Sequence, residues 1–501
     1  MQSHFQNLLD KVYEIHDIDK ALGVLSWDKE TNMPKAGTEA RIQQMTTLRR
    51  LSHSKFTADE MGELIEKAAD ETADLPYESD EASLIRYLRR SYAEARQLPP
   101  EFVRRVSEVS GKAHPAWVEA RENNDFAHFQ PHLEEVLQLV KEMAELLGYE
   151  DEKYDPLLDQ YEHGMKTAEV RATFNAVKEA LVPLREAIVE RGSQVDDGLV
   201  HQPFPVEKQK AFARYIADAV GYDFSRGHLG TVVHPFATSF SRNDARITTR
   251  WYPDFLTPSL FGTLHESGHA MYEQGTHPDL ARTPLARGTS SGIHESQSRM
   301  IENVVGRSLG FWQAHYPKLQ SLFPEQLGNY DVNAFYRAIN KVQPSYIRVE
   351  ADELTYNFHI ILRFELEQAM LNGELAIADL PTAWNDKMQE LLGVVPPTDT
   401  EGCLQDVHWT RPGFGYFPTY ALGNLYAAQF YETAVAQNPT IAEEMAQGKT
   451  DALLTWLREN IHQYGRKFTP AELVQKATGT SLSYEPFIRY VTQKFSEIYE
   501  L

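Results

Sequence analysis

The sequence has 501 residues, of which 42% are hydrophobic and 24% charged, a composition typical of a globular protein with a sizeable core and not of a disordered or fibrous chain. Its formal net charge of −23 disfavours nucleic acid and anionic membrane as partners, because both would repel the overall field of the protein. Cys403 is the only cysteine, the chain begins with a polar segment, and no long apolar run occurs. We therefore expect a cytoplasmic protein without a disulfide, a secretory signal or a membrane span.

Apolar residues recur at helical spacing along most of the chain. From Phe5 this pattern predicts a first helix that ends near residues 31–34, where polar residues and a proline follow one another. Thr57 and Glu60 have the spacing of a capping box, which predicts a helix start at that point. The same periodicity predicts further helices over about 80–97, 100–124, 130–148 and 167–192. The first 200 residues are thus expected to form a helical array.

The pattern changes between about residues 228 and 250, where β-branched residues crowd together around turn signals. This sequence pattern predicts a few short strands in an otherwise helical protein. An exposed strand edge is able to hold an extended peptide by main-chain hydrogen bonds. The alternative is a sheet that merely covers the core.

The stretch 264–270, Leu-His-Glu-Ser-Gly-His-Ala, carries the clearest chemistry of the sequence. Residues four apart lie on one face of a helix, so His265 and His269 are able to offer two imidazole nitrogens to one ion. Glu266 comes one step round the helix, where its carboxylate lies near a water bound to the ion and is able to take the proton of that water. The pattern predicts the metal helix of a zinc metallopeptidase.

Catalytic zinc usually has three protein ligands and an open fourth position, so one ligand remains to be found. The helical segment 292–303 offers His294, Glu295 and Glu302. We favour Glu295 over Glu302, because a second helix packed on the first is able to present one glutamate to the ion. A silent peptide-binding protein with structural zinc is disfavoured, since structural sites usually have four protein ligands, often cysteines.

Several further motifs, read together with the metal helix, resemble those of the carboxypeptidase Taq family of zinc metallocarboxypeptidases. The resemblance spans the whole chain, and the motifs that carry it are His234-Pro235-Phe236, the spaced Asp244, Arg246 and Thr248, the stretch 265–269, His294-Glu295-Ser296-Gln297, Ile347-Arg348 with Ala351-Asp352, and Gly402 with Gln405-Asp406 and His408-Trp409. Earlier segments agree as well, namely Trp27-Asp28, Met33-Pro34 and 154–158.

The resemblance implies a mainly α fold, similar to neurolysin and angiotensin-converting enzyme, in which residues 1–501 form one catalytic domain with two lobes around a deep groove and a small β-sheet beside the active site. It also implies a homodimer that removes single residues from the free carboxyl ends of peptides with broad specificity. The expected cofactor is one zinc ion per chain, replaceable by cobalt in some members. Its ligands would be His265, His269 and Glu295, with Glu266 as general base.

The resemblance also suggests residues that contact the substrate. His408 and Tyr420 are similar to the His and Tyr pair that flanks zinc in neurolysin-like peptidases, with Tyr416 as the alternative tyrosine. Arg348 is the favoured anchor for the terminal carboxylate, because a guanidinium donates two parallel hydrogen bonds to it. Arg246 is the second choice, and either arginine is alternatively an ordinary ion-pair partner, of Asp352 or Asp244 for example. His234 is a further candidate for substrate contact, and a zinc endo-oligopeptidase is the alternative function.

Overall fold

Helices dominate the computed structural model, which describes residues 3–501, and the mainly α fold class predicted from the sequence is confirmed. The first nine helices are α1 (His4–Thr31), α2 (Thr38–Phe56), α3 (Asp59–Glu71), α4 (Asp80–Gln97), α5 (Pro100–Asn123), α6 (Phe126–Leu147), α7 (Asp155–Asp159), α8 (Thr167–Glu190) and α9 (Val206–Ala219). The helices that follow the sheet are α10 (Thr257–Gly275), α11 (Ser291–Arg299), α12 (Leu309–Leu322), α13 (Pro324–Leu327), α14 (Val332–Ile339), α15 (Tyr356–Asn372), α16 (Leu380–Leu392), α17 (Pro418–Gln437), α18 (Thr440–Met445), α19 (Asp451–Asn460), α20 (Pro470–Thr478) and α21 (Glu485–Tyr499).

The helix boundaries agree with the periodicity of the sequence except at one predicted cap. Helix α1 ends at Thr31, where the first pause is predicted. The capping box of Thr57 and Glu60 is wrong, because α3 begins at Asp59 with Ala58 as its N-cap and no side-chain cap. Thr57 is instead the C-cap of α2, and its hydroxyl donates to the His53 carbonyl oxygen at 2.8 Å. The hydroxyl is therefore committed to the preceding helix.

The predicted strands form one three-stranded sheet. They are β1 (Leu229–Thr231), β2 (Ala237–Ser241) and β3 (Asp244–Thr249), in the order β1-β3-β2. Strand β3 pairs in parallel with β1 and antiparallel with β2, so β1 and β2 are the edge strands. The sheet packs against α10, the helix that carries the two histidines.

The chain forms two compact units. Unit 1 takes in the chain up to Arg96, Asp197–Ile339 and Phe430–Ser481, and it contains the sheet, α10 and α11. Unit 2 takes in Gln97–Asp196, Asn340–Gln429 and Leu482–Leu501. Part of the core of unit 1 is a cluster of buried side chains from α1, α3 and α4, including Leu8, Met61, Ile65 and Leu84. Cys403 is buried within unit 2.

Within residues 3–501, no helix combines the length and the apolarity that are needed to cross a membrane.

Candidate metal and catalytic site

Helix α10 carries the two histidines. Pro258 lies in its first turn, where the missing N–H costs nothing, and the helix buries Leu264, Ala270 and other residues on its core side. His265 and His269 stand one turn apart on the other side, with ring centroids 4.9 Å apart. The i, i+4 spacing therefore brings both imidazoles to one place, as the sequence predicts.

Gly268 allows α11 to pack closely on α10. A Cβ at this position would lie 2.4 Å from the Gln297 carbonyl oxygen and 2.6 Å from the Ser298 Cα. Helix α11 begins at Ser291, and the Ser290 hydroxyl accepts a hydrogen bond from Ile293 N at 3.0 Å as its N-cap. Contact between the two backbones holds Glu295 of α11 beside the two histidines.

We expect Gly268→Ala to lower the free energy of unfolding by about 1 to 3 kcal/mol or more, because the new methyl group overlaps backbone that has no rotamer to change. Urea unfolding followed by circular dichroism measures this effect. Gly262→Ala is the matched control on the same helix, since its Cβ would meet only the Thr249 hydroxyl at 3.6 Å. The control should be neutral or stabilising, as alanine favours helix over glycine. Equal losses in both variants would contradict the close approach at Gly268.

Glu295 faces both histidines. Its Oε2 lies 3.8 Å from His265 Nε2 and 3.5 Å from His269 Nε2. Burial opposes ionisation of this carboxyl, but the Arg299 guanidinium and His265 together lower its pKa well below its usual range. One ligand atom from each of the three residues lies within 4.8 Å of the others, and an anionic oxygen with two imidazole nitrogens suits a divalent metal ion. The three residues are therefore able to hold a metal ion.

Glu302, the alternative to Glu295 as the third metal ligand, contacts the other side of the His265 ring. Its Oε2 lies 2.8 Å from His265 Nδ1, and Arg299 Nη1 donates to the same oxygen at 3.3 Å. The segment Met300–Val305 forms a π turn that continues α11. A carboxylate on the second nitrogen of a metal-binding histidine fixes the ring orientation and leaves Nε2 free as a ligand.

His269 is supported by a chain of two further side chains. Its Nδ1 lies 2.6 Å from His294 Nδ1, and His294 Nε2 lies 3.0 Å from Glu273 Oε1. Because an ionised carboxylate only accepts, His294 Nε2–H donates to Glu273 and His294 Nδ1 accepts from His269 Nδ1–H. Nε2 of His269 then carries the free lone pair. Burial opposes ionisation of Glu273, yet the hydrogen bond and charge of His294 lower its pKa to about 2.

Glu266 is buried beside this cluster, with 7% of its surface exposed. Within residues 3–501, its carboxylate accepts no hydrogen bond and forms no ion pair. Its pKa is raised to about 7, mainly by burial, with a smaller contribution from the charges of Glu295 and Glu302 and against the opposing effect of His269. A buried carboxylate that no protein group engages is available to exchange a proton with a bound molecule.

Arg348 lies in unit 2, buried in a network of ion pairs. Its Nη2 donates to Asp406 Oδ1 at 2.7 Å, and its Nη1 donates to Tyr356 Oη at 2.9 Å. Arg363 Nε donates to the other oxygen of Asp406 at 2.7 Å. Asp352, suggested above as an ion-pair partner of Arg348, instead accepts from backbone N–H groups that include that of Thr355 at 2.9 Å. The partner of Arg348 is therefore Asp406.

His408, Tyr416 and Tyr420 form one cluster in unit 2. Tyr420 Oη lies 3.5 Å from His408 Nε2, and the His408 ring stacks on Tyr416 with centroids 5.6 Å apart. Burial lowers the pKa of His408 to about 4, so the imidazole is neutral at neutral pH. The Arg348 guanidinium lies 4.9 Å from the centroid of the Tyr420 ring. Residues from motifs that are far apart in the sequence thus lie close together within unit 2.

The two remaining candidates lie in and beside the sheet of unit 1. Arg246 on β3 donates to both oxygens of Asp244, at 2.7 and 2.8 Å, so the alternative ion pair with Asp244 is present. Its guanidinium also lies 4.7 Å from the Trp27 ring centroid and 4.9 Å from that of Phe240. His234 is exposed on the loop between β1 and β2.

The sequence analysis missed Glu273 and three basic side chains near the candidate metal ligand His269. Lys20, Arg287 and Arg466 line one cavity with His269. Lone basic residues spread over more than 400 positions of the sequence carry no local pattern. The one available signal was the spacing of Lys20 four residues after His16, which places both on one face of α1.

The fold and the donor set define a helical metallopeptidase of the His-Glu-x-x-His type. The family model of the carboxypeptidase Taq (M32) metallopeptidases matches residues 7–495. The chain belongs to this family and is a metallocarboxypeptidase, as the sequence motifs predict.

Individual relatives agree over the whole chain. The sequence is 42% identical to thermostable carboxypeptidase 1 of Thermus thermophilus, over 99% of each chain. It is 38% identical to carboxypeptidase 1 of Bacillus subtilis, over 100% of each chain. The crystal structure of an M32 carboxypeptidase from Deinococcus radiodurans superimposes with a TM-score of 0.96 at 39% identity, over 99% of this chain and 100% of that one.

Proposed function

We propose that the protein is a zinc carboxypeptidase that removes single residues from the free carboxyl ends of peptides with broad specificity. The observation that carries the proposal is the position of Glu295 Oε2 beside Nε2 of both His265 and His269, next to the unengaged carboxylate of Glu266. Two imidazoles and one carboxylate are a common ligand set of catalytic zinc, and cobalt is an expected substitute. When bound, the metal ion polarises the peptide carbonyl and lowers the pKa of the attacking water.

Glu266 is proposed as the general base. Its carboxylate takes a proton from the attacking water and later delivers that proton to the nitrogen of the leaving amine. A pKa near neutrality suits both steps, because the group is then able to accept and to release a proton at neutral pH. Arg299 and Glu302 hold Glu295 and His265 in place, through contacts of 2.7 and 2.8 Å respectively.

Tyr420 is proposed as the hydrogen-bond donor to the oxyanion, with His408 as its partner. We expect Tyr420→Phe to lower kcat by about 10² to 10³, the usual cost of losing one such donor, with metal content unchanged. Steady-state kinetics measures the effect, and Tyr416→Phe, the neighbouring tyrosine, is the comparison variant. A decrease of less than about threefold for Tyr420→Phe would remove it from this role, and a large decrease for Tyr416→Phe alone would transfer the role.

Arg348 is proposed as the anchor of the terminal carboxylate. Three of its five N–H donors bind Asp406 and Tyr356, which leaves one N–H on each terminal nitrogen. Arg246, His234 and Tyr416 are proposed as further substrate contacts.

We expect Arg348→Ala to weaken kcat/KM for peptides with a free carboxyl end by about 1.5 to 3 kcal/mol, the scale of a hydrogen bond to a charged group. Amidated peptides, which are expected to be poor substrates, should lose little further. Because Asp406 also loses a partner, the decisive quantity is the ratio of kcat/KM for free and amidated peptides, measured beside the thermal unfolding midpoint. Arg246→Ala is the matched variant, and an unchanged ratio in Arg348→Ala would exclude the anchor role.

Mass spectrometry of one defined peptide over time tests the proposed function. A carboxypeptidase produces a ladder that shortens by single residues from a free carboxyl end. Early internal fragments, or ready cleavage of the amidated peptide, would overturn the proposal in favour of an endo-oligopeptidase.

We further propose that residues 1–501 act as one catalytic domain, that the protein is a homodimer, and that it works in the cytoplasm on peptides. The single, buried cysteine supports a reducing compartment. Light scattering of the purified protein tests the dimer, and a mass of 57.2 kDa, that of one chain, would refute it.

A further inference from the structure

A cavity of about 330 Å³ opens beside the candidate metal ligand His269, wholly within unit 1. His269 and Glu273 of α10 form one wall, and residues 237–239 of the edge strand β2 form another. The face of α1 that carries His16 and Lys20 closes a third side. Any molecule in this cavity therefore lies against a proposed metal ligand and along an edge strand.

Three basic side chains converge on the cavity. Lys20 Nζ donates to the Ser239 carbonyl oxygen at 2.8 Å, and Arg466 Nε donates to the Gly288 carbonyl oxygen at 2.8 Å. Both cations are thus held in place by backbone oxygens, which leave their charge uncancelled. Arg287 is different, because within residues 3–501 its guanidinium donates no hydrogen bond and forms no ion pair.

The three cations repel one another at this site. The charge of Arg466 is the main cause of a lowered pKa at Arg287, and burial followed by the charge of Arg287 lowers the pKa of Lys20 to about 8. Arg287 nevertheless remains exposed, on the cavity side of the loop that precedes α11. A cleft that is lined by charges of one sign attracts a ligand of the opposite sign, here an anion.

The acidic groups of the cavity, Glu273 and Asp19, neutralise the three cations only in part. Glu273 Oε1 already accepts from His294 Nε2 at 3.0 Å and from Gly288 N at 3.2 Å. Asp19 accepts from the Ser52 hydroxyl at 2.6 Å. Two carboxylates against three cations leave one positive charge in excess, which matches a ligand with one negative charge.

The chemistry of the ligand follows from the donors and from the strand. A free guanidinium favours a planar carboxylate, to which it donates two parallel hydrogen bonds. An extended peptide along β2 would direct alternate side chains toward the cavity. We propose that Arg287, with Arg466 and Lys20, forms a subsite for an acidic side chain of the peptide substrate. This inference rests on the proposed function and adds to it a preference for Asp or Glu at one position near the cleaved bond.

The test uses blocked pentapeptides with a free carboxyl end, each carrying Glu or Gln at one position in turn. We compare kcat/KM of the parent enzyme with that of Arg287→Gln, Arg287→Lys and Arg282→Gln. Arg282 is the matched control, because it is an exposed arginine five residues earlier that pairs with Asp17 at 2.6 Å and does not line the cavity. Calorimetric titration of the same peptides into Glu266→Gln measures binding without turnover.

At one position the parent enzyme should prefer Glu over Gln by about tenfold, the scale of a hydrogen bond to a charged group. Arg287→Gln should bring this ratio close to one, Arg287→Lys should retain part of it, and Arg282→Gln should leave it unchanged. Equal binding of Glu and Gln peptides at every position, or a preference that survives Arg287→Gln, would overturn the inference.

Two further outcomes distinguish an acidic side-chain subsite from a site for the terminal carboxylate, and this inference from the proposed function on which it rests. If Arg287→Gln instead lowered the preference for free over amidated peptides, the subsite would hold the terminal carboxylate and the inference would be wrong. Absence of any single-residue release by the parent enzyme would refute the proposed function, whereas the binding arm would still decide the preference for an acidic side chain.

Discussion

Glu266→Gln should lower kcat by about 10² to 10⁴ and leave the metal content unchanged. The size follows from the loss of a group that both accepts and returns a proton during the reaction. The substitution keeps the shape of the side chain, and the wild-type carboxylate has no protein partner among residues 3–501 to lose. Steady-state kinetics and metal analysis on the same preparation test this expectation. More than about a tenth of the parent activity would contradict a role as general base.

The pH dependence of stability, compared between metal-free Glu266→Gln and the metal-free parent protein, provides an independent check on the environment of Glu266. Burial raises the pKa of Glu266 to about 7 in the folded protein, above its ordinary value of 4.5. The unfolded chain therefore ionises this group more readily, and the folded protein loses stability as pH rises from about 4.5 through 7. Glu266→Gln should be more stable than the parent at pH 8 and similar to it at pH 4.5. A variant that is less stable at pH 8 would show that the carboxylate has a structural partner.

His265→Ala should abolish tight metal binding. Removing a residue that only supports a metal ligand commonly costs about 10- to 100-fold in affinity, so the loss of a ligand should cost more. Metal analysis after dialysis measures the remaining stoichiometry. The activity of the variant should fall to background for the same reason.

His53→Ala is the control for this change. His53 is exposed on α2, so the same substitution removes an imidazole without touching the cluster. Equal metal in the parent, the control and His265→Ala would refute the ligand assignment. Loss of metal in His53→Ala as well would point to a general effect of the preparation.

The helices and the pair of candidate metal ligands on α10 were predictable because their signals are local. The period of apolar residues gives α1, and the four-residue spacing of His265 and His269 has a use only in a helix. Thr57 shows the limit of such reasoning, because the same residue serves equally well as an N-cap and as the end of α2. The sequence does not say which helix takes the hydroxyl.

The surroundings of the site depend on contacts between distant parts of the chain. Glu295 and Glu302 are both acidic and seven residues apart, and no pattern tells which nitrogen of His265 each one faces. The π turn at Met300–Val305 has no sequence signal that we recognise. Arg348 meets Asp406 and not Asp352, because packing within unit 2 brings together residues 58 positions apart. Arg287 and Lys20 line one cavity for the same reason, because packing within unit 1 brings distant parts of the chain together.

The single buried thiol gives this protein a natural reporter of local opening. Cys403 is 4% exposed, and burial raises the pKa of its thiol, so a thiol reagent reaches a reactive thiolate only after the surrounding part of unit 2 opens. Because no second cysteine exists in the chain, the labelling rate reports on unit 2 alone. Comparing that rate with and without peptide would reveal whether substrate binding rigidifies unit 2, without an introduced label.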